Sequence, residues 1–130
     1  MASIFTRIVN GEIPCHKIAE TADYLAFLDV RPQAKGHTLC IPKKETDYIF
    51  DLDDEHLAGL MLFAKKVARA IQQVVPCKRI GIAVIGLEVP HAHVHLIPLN
   101  AVSDLSFSKE PLAFSGDEMR ELAAQIAALI

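Results

Sequence analysis

The chain has 130 residues, 52% of them hydrophobic and 22% charged, and 13 Lys+Arg against 16 Asp+Glu give a net charge of −3. This is the composition of a soluble single domain, residues 1–130, with apolar material enough for its own core. It excludes a basic nucleic-acid-binding surface, a membrane-spanning run and a cationic-then-apolar leader.

Cys15, Cys40 and Cys77 are odd in number and far apart, which argues against a disulfide framework and for a reducing, cytoplasmic setting. Ser3 can cap a short helix in which Ile4, Phe5, Ile8 and Val9 share one side, and Asn10-Gly11 stops it. Residues 13–20 read as an extended lead-in and a first strand. A turn at Thr21-Ala22-Asp23 joins it to an aromatic-rich second strand over 24–30. Asp29 closes that strand and, on its own, reads as a turn carboxylate before Arg31-Pro32. Residues 36–42 form a third strand that opens at His37.

Asp53 is the best cap for the longest helix, with Leu52 and Leu57 as a hydrophobic staple across it. Leu57, Leu60, Met61, Ala64, Val67, Ala68, Ile71, Val74 and Val75 recur at helical spacing and form its core stripe. Lys65, Lys66 and Arg69 fall on its solvated side, and Pro76 ends it. A fourth strand runs over 79–87, and a turn at Gly86-Leu87-Glu88 leads to a fifth, its antiparallel neighbour. After an irregular stretch over 100–114, Ser115 and Glu118 make a capping box for a final amphipathic helix over about 116–130. The order predicts an α+β fold: a five-stranded antiparallel meander sheet with one long central helix and short N-terminal and C-terminal helices.

The chemistry concentrates in the fifth strand, where three of the six histidines, His91, His93 and His95, stand at every second position. On a strand they share one face, roughly 7 Å apart, with Ala92, Val94 and Leu96 turned to the core. Two cations at that spacing repel by about 2 kcal/mol at an effective dielectric near 20. At least one ring is therefore neutral at pH 7, free to act as a nucleophile, while a protonated neighbour donates to an anion or a leaving group. A zinc site is the rival reading, though three ligands at alternate strand positions make poor tetrahedral geometry without bending.

These residues resemble the histidine-triad family of nucleotide hydrolases and transferases, in its phosphoramidase-like branch. The resemblance runs from about residue 4 to 99. It is carried by Ile4-Phe5, Ile8-Val9-Asn10-Gly11-Glu12-Ile13-Pro14, Ala26-Phe27-Leu28-Asp29-Val30, Gly36-His37-Thr38-Leu39, Ile41-Pro42-Lys43-Lys44 and His91-x-His93-x-His95-Leu96-Ile97.

The resemblance implies hydrolysis of a nucleoside 5′-phosphoramidate or related AMP-linked substrate. His93 would attack the α-phosphorus and form a nucleotidyl-histidine intermediate. His91 and His95 would hold phosphate oxygens and pass a proton to the leaving group, with His37 supporting the network. Asp29 would take the ribose hydroxyls, and Ile8, Phe27 and Leu28 would sandwich the base. A homodimer with a joined sheet is implied, binding an AMP-like purine nucleotide and no nucleic acid, membrane, metal or cofactor.

Two departures bear on this. Many bacterial relatives carry two cysteines and a histidine that help hold a structural zinc where this chain has Ser3, Thr6 and Glu45. Leu87 and Glu88 replace a glutamine and a serine or threonine near the leaving group, and a carboxylate at Glu88 favours an amine over a polyphosphate there. Dinucleoside polyphosphate hydrolysis and a nucleotide-binding regulatory module with weak catalysis are the alternatives.

Overall fold

In the computed structural model, which describes residues 2–130, one antiparallel sheet sorts the apolar residues into two layers. Its strands are β1 (Lys17–Glu20), β2 (Tyr24–Leu28), β3 (Thr38–Pro42), β4 (Arg79–Ala83) and β5 (Val94–Leu99). Three helices accompany them: α1 (Ile4–Val9), α2 (Asp54–Val74) and α3 (Gly116–Ala127).

Register decides which layer a side chain joins, because neighbours along a strand point to opposite faces. Leu28 pairs with Thr38 and Thr38 with Leu96, while Ala26 pairs with Cys40 and Cys40 with Val94. These positions face α2 and α3, where Leu60, Val67, Ile71, Leu122 and Ile126 complete the main core. One residue out of phase, Phe27 pairs with Leu39 and Leu39 with His95. That face carries a smaller cluster of Phe5, Leu25, Phe27, Leu39 and Ile41 under α1.

The helix ends follow their capping residues. Ser3 accepts from Thr6 N–H, Asp53 from His56 N–H, and Ser115 forms the expected box with Glu118. Val75 ends α2 in the β region (φ −105°, ψ 115°), the conformation that the following Pro76 demands. Leu52 and Leu57 both pack on the main core, as a staple requires. The stripe of α2 needs one correction: Phe63 is buried, while Met61 is turned outward. Ile4 and Ile130 are likewise exposed rather than packed with their helices.

The five antiparallel strands and the helices are as expected, but the sheet is not a simple meander. Its order is β1-β2-β3-β5-β4. After α2 the chain enters at the far edge as β4, and β5 returns between β4 and β3. The histidine strand is thereby placed inside the sheet rather than at its edge. The ladder also begins later than expected, at Val94. His91, in a bend with its N–H on the Val89 carbonyl at 2.8 Å, and His93 stand in the irregular approach to β5, where Ala92 N–H donates to the Thr46 carbonyl at 2.7 Å. Pleat alternation therefore places His95 only.

Gly36 sets His37 at the start of β3. Its φ is +91°, and a Cβ there would come within 2.9 Å of Val75 Cγ2, so the close packing of this corner needs glycine. The irregular stretch 100–114 runs back over the histidine face. Leu105 lies against Gly81, Phe107 meets His95, and Leu112 N–H donates to the Pro32 carbonyl at 2.8 Å.

Candidate active site

Four imidazoles form a continuous row under α1. Phe5 lies edge-on between His91 and His93, with ring centroids 5.9 and 5.0 Å away. His93 and His95 are 4.9 Å apart, and His95 and His37 are 5.2 Å apart. All four histidines are buried. Within such a row, function depends on where each proton sits, and fixed backbone groups decide that.

The carbonyl of His91 lies 2.7 Å from His93 Nδ1. A carbonyl only accepts, so Nδ1 carries the hydrogen, and in the neutral ring Nε2 holds the free lone pair. At the other end, Gln33 N–H donates to His37 Nδ1 at 2.9 Å. The hydrogen of neutral His37 is therefore on Nε2, which lies 2.9 Å from His95 Nδ1. His95 must accept there, so its own hydrogen is on Nε2. The row thus presents a lone pair at His93 Nε2 beside an N–H at His95 Nε2, the pair of groups that nucleophilic attack and proton transfer need.

Burial reinforces this. It pushes His37 down to about 3, with His95 and His93 adding to the effect. It pushes His95 down to about 4, with His93 adding. Asp29 Oδ2 faces His37 Nε2 at 3.5 Å. With His37 held neutral, this is a carboxylate facing an N–H rather than an ion pair. Burial raises the Asp29 pKa, opposed by the Arg31 N–H that its Oδ1 accepts at 2.9 Å.

His91 differs from what its position in the triad suggests. It is fully buried, its Nε2 donates to the Pro42 carbonyl at 2.7 Å, and its Nδ1 accepts from Ser3 Oγ at 2.8 Å. With both nitrogens occupied it cannot hold a phosphate oxygen. What it presents to the row is its carbonyl, which accepts from His93 Nδ1.

Of the residues expected to contact the base, Ile8 and Phe27 lie in the layer under α1 beside the row. Leu28 does not: its register turns it into the core against α2. Glu88 is exposed in the turn before His91, outside the hydrogen-bonded network. Phe107, whose ring meets His95 edge-on at 4.8 Å, went unseen in the sequence because the stretch around it has no periodicity to read. The contribution of Gln33 comes from its backbone and leaves no side-chain signal at all.

Asp29, His37 and His95 offer ligand atoms within 4.8 Å of one another. The 2.9 Å between the two rings is hydrogen-bond spacing, whereas two imidazole nitrogens on a tetrahedral zinc lie about 3.3 Å apart. Around His91, Ser3, Thr6 and Glu45 are hydrogen-bonded to one another and supply no thiolate, so they do not fit a structural zinc. A cavity of about 460 Å³ lies on the opposite side of the sheet, lined by Ile18, Tyr24, Phe63 and Ile130 among others, remote from this chemistry.

The family profile described as the HIT domain matches residues 10–102. The adenosine 5′-monophosphoramidase hnt1 of Schizosaccharomyces pombe is 38% identical over 133 residues, covering 100% of this chain and 99% of that protein. The adenosine 5′-monophosphoramidase HNT1 of Saccharomyces cerevisiae is 40% identical over 98 residues, covering 75% of this chain and 62% of that one. Among solved structures, a zinc-bound histidine triad family protein from Mycobacterium smegmatis superposes with a TM-score of 0.82 at 32% identity, covering 99% of this chain and 96% of that one.

Proposed function

Because this chain belongs to the histidine-triad (HIT) family, we propose that it hydrolyses an adenosine 5′-phosphoramidate or a related AMP-linked substrate through a nucleotidyl-histidine intermediate. It is a nucleotide hydrolase of the kind that acts on P–N bonds at the α-phosphate. The observation that carries the mechanism is the direction of protons along the row. His93 Nδ1–H is spent on the His91 carbonyl, which leaves Nε2 as the attacking atom.

In the proposed reaction His93 Nε2 forms a bond to phosphorus as the P–N bond breaks. The incoming anion raises the proton affinity of His95 against the effect of burial. The ring, protonated from solvent and so bearing a hydrogen on each nitrogen, then gives the one on Nε2 to the departing nitrogen and keeps the one on Nδ1, while the His37 N–H that had faced Nδ1 turns to Asp29 Oδ2. His95, neutral again, takes a proton from the water that attacks the adenylyl-histidine and releases AMP. Asp29 supplies carboxylate acceptors for the ribose diol, and Phe27 and Ile8 form the apolar wall for the base. Glu88, exposed in the turn before His91, disfavours a polyphosphate leaving group.

The whole chain, 1–130, works as one domain, and a second copy pairs along β4. This strand is the sheet edge and exposes Ile82, with Val84 and Ile85 just beyond it. Among the described residues no helix is long and apolar enough to cross a membrane. Three free cysteines suit a reducing cytoplasm. One observation favours the weaker-enzyme reading, a nucleotide-binding module: Phe107 covers the His95 end of the row.

The test is intact-mass analysis after rapid mixing with adenosine 5′-phosphoramidate. Wild type should carry one transient adenylyl group, and His93→Ala should carry none and lose turnover. Full activity in His93→Ala would refute the mechanism.

A further inference from the structure

Three polar side chains, Ser3, Thr6 and the solvent-exposed Glu45, close over His91 at one end of the histidine row, and the carboxylate organises the other two. Glu45, in the loop after β3, places Oε1 2.6 Å from Ser3 N and 2.7 Å from Thr6 Oγ1. Both contacts donate to it, so the Thr6 hydroxyl hydrogen is committed. Thr6 Oγ1 lies 3.3 Å from His91 Nδ1 and cannot donate there as well. Ser3 Oγ accepts from Thr6 N–H at 3.0 Å, and for its own hydrogen His91 Nδ1 at 2.8 Å is a closer acceptor than Thr6 Oγ1 at 3.3 Å. His91 Nε2–H is bonded to the Pro42 carbonyl, and the His91 carbonyl receives His93 Nδ1–H. Hydrogen bonds thus run unbroken from Glu45 to His93.

We infer that Glu45 is a positioning residue for the hydrolysis: through Thr6 and Ser3 it holds α1 against His91, and through the His91 carbonyl it aims His93 Nε2 at phosphorus. The same carboxylate ties the first turn of the chain to the end of β3 without a metal ion. Thiolates would suit a zinc at such a place, but here two hydroxyls and a carboxylate make a hydrogen-bonded clasp. Their effect falls on turnover, because misplacing an attacking atom by a fraction of an ångström slows the chemical step more than it weakens binding.

The inference rests on the hydrolase reading, so its test has one readout with turnover and one without. Glu45→Ala should lower kcat for adenosine 5′-phosphoramidate about tenfold with KM within about twofold. Glu45→Gln retains an acceptor oxygen in the same place and should restore kcat to near the wild-type value. Thr6→Val, which keeps the side-chain shape, should repeat the alanine pattern and stands in should Glu45→Ala fail to fold. The second readout is the downfield proton resonance of His91 Nε2–H. It should be protected from solvent exchange in wild type and Glu45→Gln and exchange faster in Glu45→Ala or Thr6→Val. Wild-type kcat in folded Glu45→Ala, or in folded Thr6→Val, would overturn the inference. A protein with no turnover at all would refute the hydrolase reading instead. In that case unchanged His91 protection in the folded variants would overturn the clasp separately.

Discussion

His37 Nε2 lies 2.9 Å from His95 Nδ1, and the Gln33 N–H bound to His37 Nδ1 fixes the direction of that hydrogen bond. Both rings are neutral, with folded pKa values of about 3 and about 4. A free histidine titrates near 6.5, so the unfolded chain binds more protons than the folded one between these limits. Their contribution to stability is therefore complete above about pH 6.5 and is lost as the pH falls through the folded values.

Urea midpoints should accordingly drop between pH 7 and pH 4, and His37→Gln, which cannot titrate, should flatten part of that slope. Glu45 and Glu20, each held near 2 by hydrogen bonds, act in a lower window, below about pH 4.3. His56 has the opposite sign. Its pKa is raised by Asp53, so its contribution is lost as pH rises, but the pair is on the surface and its effect is small. A midpoint unchanged from pH 7 to pH 4.5 would contradict the assignment of neutral rings.

Asp29 gives one oxygen to Arg31 N–H and turns the other toward the row at His37. A vicinal diol at this place would find a charged acceptor already desolvated. Asp29→Asn should weaken AMP binding about tenfold, near 1.4 kcal/mol, by titration calorimetry. A 2′,3′-dideoxy analogue should bind wild type and variant alike. Equal loss with both ligands would place the diol elsewhere.

Elements governed by local chemistry were legible in the sequence. Ser3, Asp53 and Ser115 cap the helices expected of them, and the alternation of Phe27 and Leu28 is what separates the two layers. The alternation alone did not say which layer held the histidines, so Leu28 was expected at the site when it lies in the α2 layer and Phe27 in the histidine layer. The place of β5 inside the sheet depends on where α2 returns the chain, a tertiary choice that no strand carries in its own pattern. The role of His91 was hidden for a similar reason. Its partners, Ser3 and the Pro42 carbonyl, are 88 and 49 residues away in sequence.

The donors around His91 lead to a prediction about metal. Hydroxyls, a carboxylate and an imidazole already bonded to one another form a complete network with no need of an ion. Extended dialysis against EDTA should leave both the thermal midpoint and the rate of phosphoramidate hydrolysis unchanged. A fall in either, reversed by stoichiometric zinc, would show that the network rearranges to hold metal.

The edge of the sheet makes a prediction about assembly. Ile82 in β4 is half exposed, and among the described residues nothing pairs with the strand's outer edge. Light scattering should give twice the chain mass, and Ile82→Lys should shift the protein toward monomer, since a charge on an edge strand opposes pairing. A monomeric wild type at tens of micromolar would remove the joined sheet.

Phe107 sets the last prediction. Its ring stands edge-on to His95 at 4.8 Å and to His37 at 6.2 Å, and it is 38% exposed. The segment that brings it there is held at one end by Asp104, which accepts from the N–H groups of Asn100 and Ala101. At the other end Leu112 N–H bonds to Pro32. A leaving group departing past His95 therefore meets an aromatic edge. An unsubstituted phosphoramidate should clear it, and a bulky N-alkyl group should collide with it. Phe107→Ala should raise kcat/KM for the bulky substrate relative to the unsubstituted one by about tenfold, the scale of one side chain's steric discrimination. It should also let water reach His95, lifting that ring's pKa from about 4 toward its ordinary value and moving the acid limb of the pH profile upward. An unchanged substrate ratio would mean that the leaving group departs by another path.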